Sequence, residues 1–255
     1  MNVLVGLAII LFMLMKVIGG EKGIRSFMAL FFNFGVILLA IFLMANQGNN
    51  PIVITLLACM AISYVNLFYI NKFNFKSITA IISTIITLVF LILLIFVIVE
   101  RSKIQGFGIE EVEELQFFSF NVGIDFSKIA ICTIIMGTIG AITDTAISIS
   151  SAMNEIYQHN PSLDSHKLFK SGMNVGKDIL GTTTNTLFFA FIGGYLALII
   201  WFKDLAYSFG EVVNSKVFSS EVISIFCTGA GAILIIPITA WLTAYSLVTY
   251  KKQKK

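Results

Sequence analysis

The acids, hydroxyls and small residues of one segment near the middle of the chain have the spacing of a helical face. They are Thr133, Gly137, Gly140, Asp144, Ser148, Ser151 and Glu155, and each lies three or four residues after the one before it. Positions separated in this way share one side of a helix. Carboxylate and hydroxyl oxygens on such a face could hold a cation or relay a proton.

Asp144 is the most informative of these residues because it lies inside an apolar run, residues 129–149. A charge at membrane depth costs at least about 2.5–3.5 kcal/mol on insertion scales, so the side chain must face protein or water. A transport or binding role is the leading hypothesis. The alternative is a structural carboxyl, either hydrogen-bonded to a neighbouring helix or neutralised by protonation.

Asn174, Asp178, Gly181 and Asn185 repeat this spacing in the next predicted helix. If the two helices form an antiparallel pair, both polar faces lie in the cytoplasmic half of the membrane. The alternative is an ordinary capped helix start, with Asn174 or Asp178 as the cap and Lys177 at the headgroups. The predicted ion or proton pathway consists of Asp144, Ser148, Ser151, Glu155, Asn174, Asp178 and Asn185.

No catalytic set, cofactor or metal site is predicted, and we do not expect an enzyme. His159 and His166 have no cysteine or HExxH motif beside them, which disfavours zinc. Cys59, Cys132 and Cys227 lie in apolar runs and are interpreted as buried small hydrophobes. The glycines of the apolar runs are predicted to be helix-packing notches. These glycines are Gly137, Gly140, Gly181, Gly193, Gly194, Gly229 and Gly231.

The composition identifies the elements that must position these residues. Of 255 residues, 57% are hydrophobic and 12% are charged, and the mean hydropathy is +0.92. A soluble domain carries about 25% charged residues, so a soluble enzyme, a disordered chain and a nucleic-acid-binding module are excluded. We predict an all-α polytopic membrane bundle, a single domain over 1–255, with about seven transmembrane helices. They are predicted at 3–18, 27–45, 52–70, 78–99, 129–149, 184–202 and 222–249.

The loops set the expected orientation. Most of the 17 Lys and Arg residues fall in alternate loops, which the positive-inside rule assigns to the cytoplasm. The N-terminus is therefore expected outside and the C-terminus inside. The loop at 100–127 is then extracellular, and its acidic and aromatic residues predict an interfacial helix or, alternatively, a cation-attracting vestibule. The loop at 154–181 is cytoplasmic, with an amphipathic surface helix expected at 162–173.

Two segments resemble the YibE/F-like family of bacterial multi-pass membrane proteins. They are residues 137–156, GTIGAITDTAISISSAMNEI, preceded by Ile-Asp-Phe at 124–126, and residues 168–187, LFKSGMNVGKDILGTTTNTL. The length is similar to the shorter, YibF-like type. The resemblance implies a permease-like protein of the bacterial cell membrane, with a longer relative as a possible partner. It also implies that the family's patterned acids and amides correspond to Asp144, Glu155, Asn174, Asp178 and Asn185.

Three hypotheses follow. The first is a permease or transporter component whose site is sensitive to protons or cations. The second is a non-transporting subunit or receptor that assembles with a longer relative or as a homo-oligomer. The third is a membrane enzyme acting on lipids, for which no clustered nucleophile and base are evident. The bilayer is the expected environment, and no nucleic-acid partner is expected.

Overall fold

The computed structural model describes residues 3–46, 48–108 and 125–253. The regular elements of these residues are all helices, and no strand occurs among them. The helices are α1 (Val3–Met44), α2 (Pro51–Tyr64, continued by a π-helical segment, Val65–Ile70), α3 (Phe75–Ser102), α4 (Phe126–His159), α5 (Ser165–Gly194), α6 (Leu196–Asp204), α7 (Phe209–Asn214) and α8 (Lys216–Gln253). Five of the described helices are long and apolar enough to cross a membrane, or six if the bent pair α5–α6 is one span. The all-helical membrane class is confirmed, whereas the count of seven stays a prediction.

α1 consists of two arms, residues 3–19 and 21–44, that meet at Gly20. This glycine has φ 55° and ψ −135°, a conformation outside the helical region. The rings of Phe12 and Phe27 lie 5.0 Å apart between centroids, although fifteen residues of straight helix would separate them by about 22 Å. The arms therefore fold back on each other. The predicted runs at 3–18 and 27–45 lie on separate arms.

The core of the bundle lies between α3, α4, α5 and α8. Ile135, Ile142 and Ile149 on α4 are fully buried, and Leu91 of α3 and Ile235 of α8 are buried with them. Because a seven-residue spacing keeps side chains on one side of a helix, the three isoleucines define the core face of α4. Asp144 lies nine residues after Ile135, half a turn away from that face, and is exposed.

The segment predicted as a cytoplasmic loop at 154–181 is mostly helical. α4 continues to His159, and α5 begins after Asp164, whose carboxylate accepts a hydrogen bond from the Lys167 amide at 2.8 Å. The surface helix expected at 162–173 is the first part of α5. Packing explains this difference, because Leu168, Gly172 and Gly176 are buried against neighbouring helices.

The predicted sixth run, 184–202, does not form one straight helix. It is divided between α5 and α6, which meet at Tyr195 with a bend of 50°. Tyr195 lines a cavity together with Phe126, at the start of α4, and Lys216, at the start of α8. α5 alone therefore reaches the end of the bundle where α4 and α8 begin.

Two further sequence-based expectations concern the loops and the last run. The predicted interfacial helix or vestibule within 100–127 falls mainly on residues 109–124, which lie outside the described residues. α8 continues through Pro237 as one helix, which covers the predicted run at 222–249 without interruption. The three cysteines are buried and free, as expected.

Most of the predicted packing glycines have no close neighbour within the described part of the chain. Among the described residues, nothing lies within 4 Å of a Cβ built on Gly140, Gly181, Gly193, Gly194 or Gly229. Gly137 has only an ordinary contact, and Gly231 alone of the predicted set is tightly packed, against Leu91 and Thr138 at 2.9 Å. The close approaches on α5 occur instead at Gly172, beside Met153 and Ala240, and at Gly176, beside Ile236.

Candidate functional site

An open groove of about 440 Å³ lies between α4 and α5. α4 contributes Gly137, Gly140, Ala141, Asp144, Thr145 and Ser148, and α5 contributes Ile179, Thr182, Thr183, Thr186 and Leu187. The α4 side of this α4–α5 groove is open because glycines occupy two of its positions. The middle of the predicted helical face, from Gly137 to Ser148, thus forms one wall of the groove instead of a packed seam.

Among the described residues, Asp144 is the only acid that lines the groove. It is exposed to the groove, and the described residues provide it with no hydrogen-bond or ion-pair partner. Ser148 lies one turn along the same helix and is also exposed. The carboxylate oxygens are therefore available to a ligand, a water molecule or a proton.

The threonines of the groove present acceptor oxygens. Thr145 donates its hydroxyl hydrogen to the carbonyl of Ala141 at 2.8 Å, and Thr182 and Thr186 donate theirs to backbone carbonyls of α5 at 2.8 and 2.9 Å. A hydroxyl that donates in this way keeps its lone pairs for a second partner. The groove is therefore richer in acceptors than in donors. A site that offers only oxygen ligands is suited to a hard metal cation or to a proton donor such as hydronium.

Five of the predicted site residues lie outside the groove, namely Ser151, Glu155, Asn174, Asp178 and Asn185. Glu155 pairs with Lys76 of α3, whose Nζ lies 2.8 Å from the Glu155 carboxylate. The α5 residues Asn174, Asp178 and Asn185 are exposed on the face of α5 that points away from the groove. The polar faces of α4 and α5 therefore do not meet. Asn185 lies two residues, or about 200° of helical rotation, from Thr183 in the groove wall.

Ser151 is half-buried and does not line the groove. Its neighbour Ser150 forms a buried contact that the helical spacing did not predict. The hydroxyl of Ser150 lies 2.6 Å from that of Thr79 on α3 and donates to the carbonyl of Lys76 at 3.1 Å. This contact joins α3 and α4 at the same end of the bundle as the Lys76–Glu155 ion pair.

Asp144 lies well inside the length of α4. Met153, which packs against Gly172, marks one end of the α4–α5 pair, and Phe126 at the end cavity marks the other. At 1.5 Å per residue, Asp144 is about 14 Å from Met153 and about 27 Å from Phe126 along the helix axis. The carboxylate is therefore not at either end of the crossing helices.

A second cavity, of about 360 Å³, lies at the end of the bundle marked by Phe126 and is called the end cavity here. Its polar lining includes Gln105, Thr133, Tyr195, Lys216, Ser220, Glu221 and Ser224. Thr133 belongs to the polar face of α4, and the next residue of that face, Gly137, lies one turn away in the groove. One face of α4 therefore extends from the end cavity, at Thr133, to the groove, at Gly137 and Asp144.

The comparisons with known proteins give one match. A family model described as YibE/F-like protein matches residues 7–249. No curated protein and no solved structure matches the chain.

Proposed function

The chain belongs to the YibE/F-like family, whose model matches nearly all of it, and we propose that it is a permease or transporter component. In this proposal, protons or cations move along the polar face of α4. The observation that carries the proposal is the continuity of that face. It begins at Thr133 in the end cavity and reaches Asp144 and Ser148 in the groove. A helix face in contact with lipid would instead present apolar side chains at these positions.

The side chains that line the groove favour the binding of a positively charged substrate. Asp144 supplies the negative charge, while Thr145, Thr182 and Thr186 supply oxygens whose hydrogens are already donated to the backbone. The apolar walls, Ile179 and Leu187, lower the local dielectric and strengthen the attraction between the carboxylate and a cation. Proton relay through Asp144 uses the same arrangement, because protonation neutralises the carboxylate.

The Asp144→Asn variant tests this role. The purified protein is placed in liposomes that contain either a pH-sensitive or a sodium-sensitive dye, and a proton or sodium gradient is then imposed. We expect uptake by the wild type and a decrease of about tenfold or more in the variant, because a charge-assisted hydrogen bond contributes about 1.5–3 kcal/mol.

The matched control is Asp204→Asn, which removes an exposed acid at the end of α6, outside the groove and the end cavity. Equal incorporation into liposomes and equal gel-filtration profiles show that the variants fold. Equal uptake by wild type and Asp144→Asn would contradict the role of Asp144. Absence of uptake above that of protein-free liposomes, for both ions, would contradict the transport function itself.

The second candidate is a non-transporting membrane subunit or receptor that assembles with a longer YibE/F-like relative. The exposed polar residues Asn174, Asp178 and Asn185 on α5 favour it, because such residues in a membrane helix need a protein partner. Co-purification distinguishes the two functions. A stable hetero-complex, with transport only when both chains are present, would favour the subunit.

We also propose the placement of the chain in a bacterial cell membrane with seven crossings, counting each arm of α1 separately. The N-terminus is then outside and the C-terminus inside, according to the distribution of basic residues. We propose no enzymatic activity, metal or cofactor for this protein.

A further inference from the structure

The outward face of α5 carries polar residues where a membrane helix normally contacts lipid. We call Asn174, Asp178, Gly181 and Asn185 the α5 outer stripe. All four are exposed, as is Lys177 beside them. The described residues provide none of these polar side chains with a hydrogen bond or an ion pair.

The α5 outer stripe reaches the middle of the crossing. Gly172 packs beside Met153 near one end of α5, and Tyr195 follows the other end at the end cavity. Asn185 lies about 20 Å from Gly172 and about 15 Å from Tyr195 along the helix axis. Hydrocarbon offers no hydrogen bond to an amide at that depth, so the exposure of Asn185 to lipid is unfavourable.

We infer that a second copy of this chain packs against the α5 outer stripe and forms a two-fold symmetric dimer with parallel α5 helices. The side chain of Asn185 both donates and accepts, so it can pair with the same residue of its copy across the axis. Among the described residues, no atom lies within 4 Å of a Cβ built on Gly181, which leaves room for the second backbone. Small residues of this kind allow membrane helices to approach closely.

The charged residues Lys177 and Asp178 can also pair with the same two residues of a second copy. Lys177 and Asp178 are consecutive and therefore lie about 100° apart around the helix, on opposite sides of the stripe's centre. Two-fold symmetry places the side that carries Asp178 on one helix opposite the side that carries Lys177 on the other. Each dimer would therefore contain two such pairs at the same depth.

An apolar rim continues the surface beyond Asn185. Phe188 and Phe189 are 51% and 68% exposed and lie on either side of the stripe's direction, one turn further along. In the dimer these rings flank the amide pair and exclude lipid headgroups and water from it. The inference does not depend on transport, because it concerns a face of α5 that the groove does not use.

Disulfide cross-linking tests the dimer. Asn185→Cys is made in a chain whose buried Cys59, Cys132 and Cys227 are replaced by alanine, and the membranes are oxidised before electrophoresis. We expect a covalent homodimer. Leu93→Cys, at a position of α3 that is 67% exposed, is the control and should stay monomeric. Asn174→Cys, on the same stripe, is a second probe in case the first variant does not fold.

The purified protein in lipid nanodiscs gives an independent measurement of mass. We expect two copies per disc for the wild type, and a dimer fraction about three- to tenfold lower for Asn185→Leu, which removes the amide pair. Monomeric wild type in the discs, or no cross-linking at both Asn185→Cys and Asn174→Cys, would overturn the inference. Cross-linking of Asn185→Cys only to a different membrane protein of the expression host would also overturn it.

Discussion

At the scale of single residues, the helical spacing predicted which side chains share a face but not what each face meets. Gly137, Gly140, Asp144 and Ser148 do lie together on one wall of the groove. Asn174, Asp178 and Asn185 also share a face, yet that face points away from the rest of the chain. The rotation of α5 about its own axis is determined by the side chains that pack against its buried glycines, Gly172 and Gly176. Some of these side chains, such as Ile236, are distant in the sequence.

Gly176 is the residue at which this fit is closest. A Cβ on Gly176 would collide with the side chain of Ile236 on α8, whereas one on Gly229, also on α8, meets no described atom within 4 Å. We expect Gly176→Ala to reduce stability by about 1–3 kcal/mol through overpacking. Gly229→Ala should not reduce it, because alanine favours a helix by about 1 kcal/mol over glycine.

The measurement is the fraction of protein that stays monodisperse in detergent after heating, for the two variants and the wild type. Equal heat tolerance of Gly176→Ala and wild type would contradict the packing of α5 on α8 through this glycine.

At the scale of elements, long apolar helices were predicted well and α5 was not. Hydropathy locates α3, α4 and α8 because their apolar residues run almost without interruption. The first half of α5 contains Lys167, Lys170, Lys177 and Asp178, so its sequence is typical of a loop or a surface helix. Its burial through Leu168, Gly172 and Gly176 depends on tertiary contacts, which local sequence does not encode.

The turn between the arms of α1 depends on Gly20. Its φ of 55° with ψ of −135° is accessible to glycine and strained for other residues, at a cost of about 1–3 kcal/mol. Gly19, beside it, has no such conformation and nothing described within 4 Å of its Cβ position. We therefore expect Gly20→Ala to loosen the hairpin and Gly19→Ala to leave it closed.

Cysteines at positions 12 and 27 report the hairpin, because the rings of Phe12 and Phe27 lie 5.0 Å apart. The Phe12→Cys and Phe27→Cys pair should be joined by a short bis-maleimide cross-linker, detected by mass spectrometry after digestion. The yield of cross-linked protein should fall when Gly20→Ala is added. A yield that Gly20→Ala leaves unchanged would mean that another feature closes the turn.

At the scale of the whole molecule, the helices have two distinct ends. Lys76 and Glu155 meet at one end, and Gln105 accepts a hydrogen bond from Lys216 at 3.4 Å at the other. The start of α3 therefore meets the end of α4, and the end of α3 meets the start of α8, so α3 runs opposite to both helices. The sequence predicted that alternation from hydropathy, and the positive-inside rule predicts which end faces the cytoplasm.

Labelling of single cysteines checks the sidedness. Arg101→Cys, near the end of α3, should react with a membrane-impermeant maleimide in intact cells. Lys22→Cys, near the α1 turn, should react only after the membrane is permeabilised. The native cysteines are buried and should give little background. The reverse pattern of labelling would invert the proposed orientation.

The N-terminal hairpin has a consequence for how the protein is made. Every buried residue of α1, namely Gly23, Ala29, Ala40 and Met44, lies on its second arm, and Asn33 of that arm bonds Asn66 at 2.8 Å. The most apolar stretch of α1 is only 11% buried. α1 emerges from the ribosome before the other described helices, and lipid alone can hold it in the bilayer until they arrive. The hairpin can therefore insert before the core assembles.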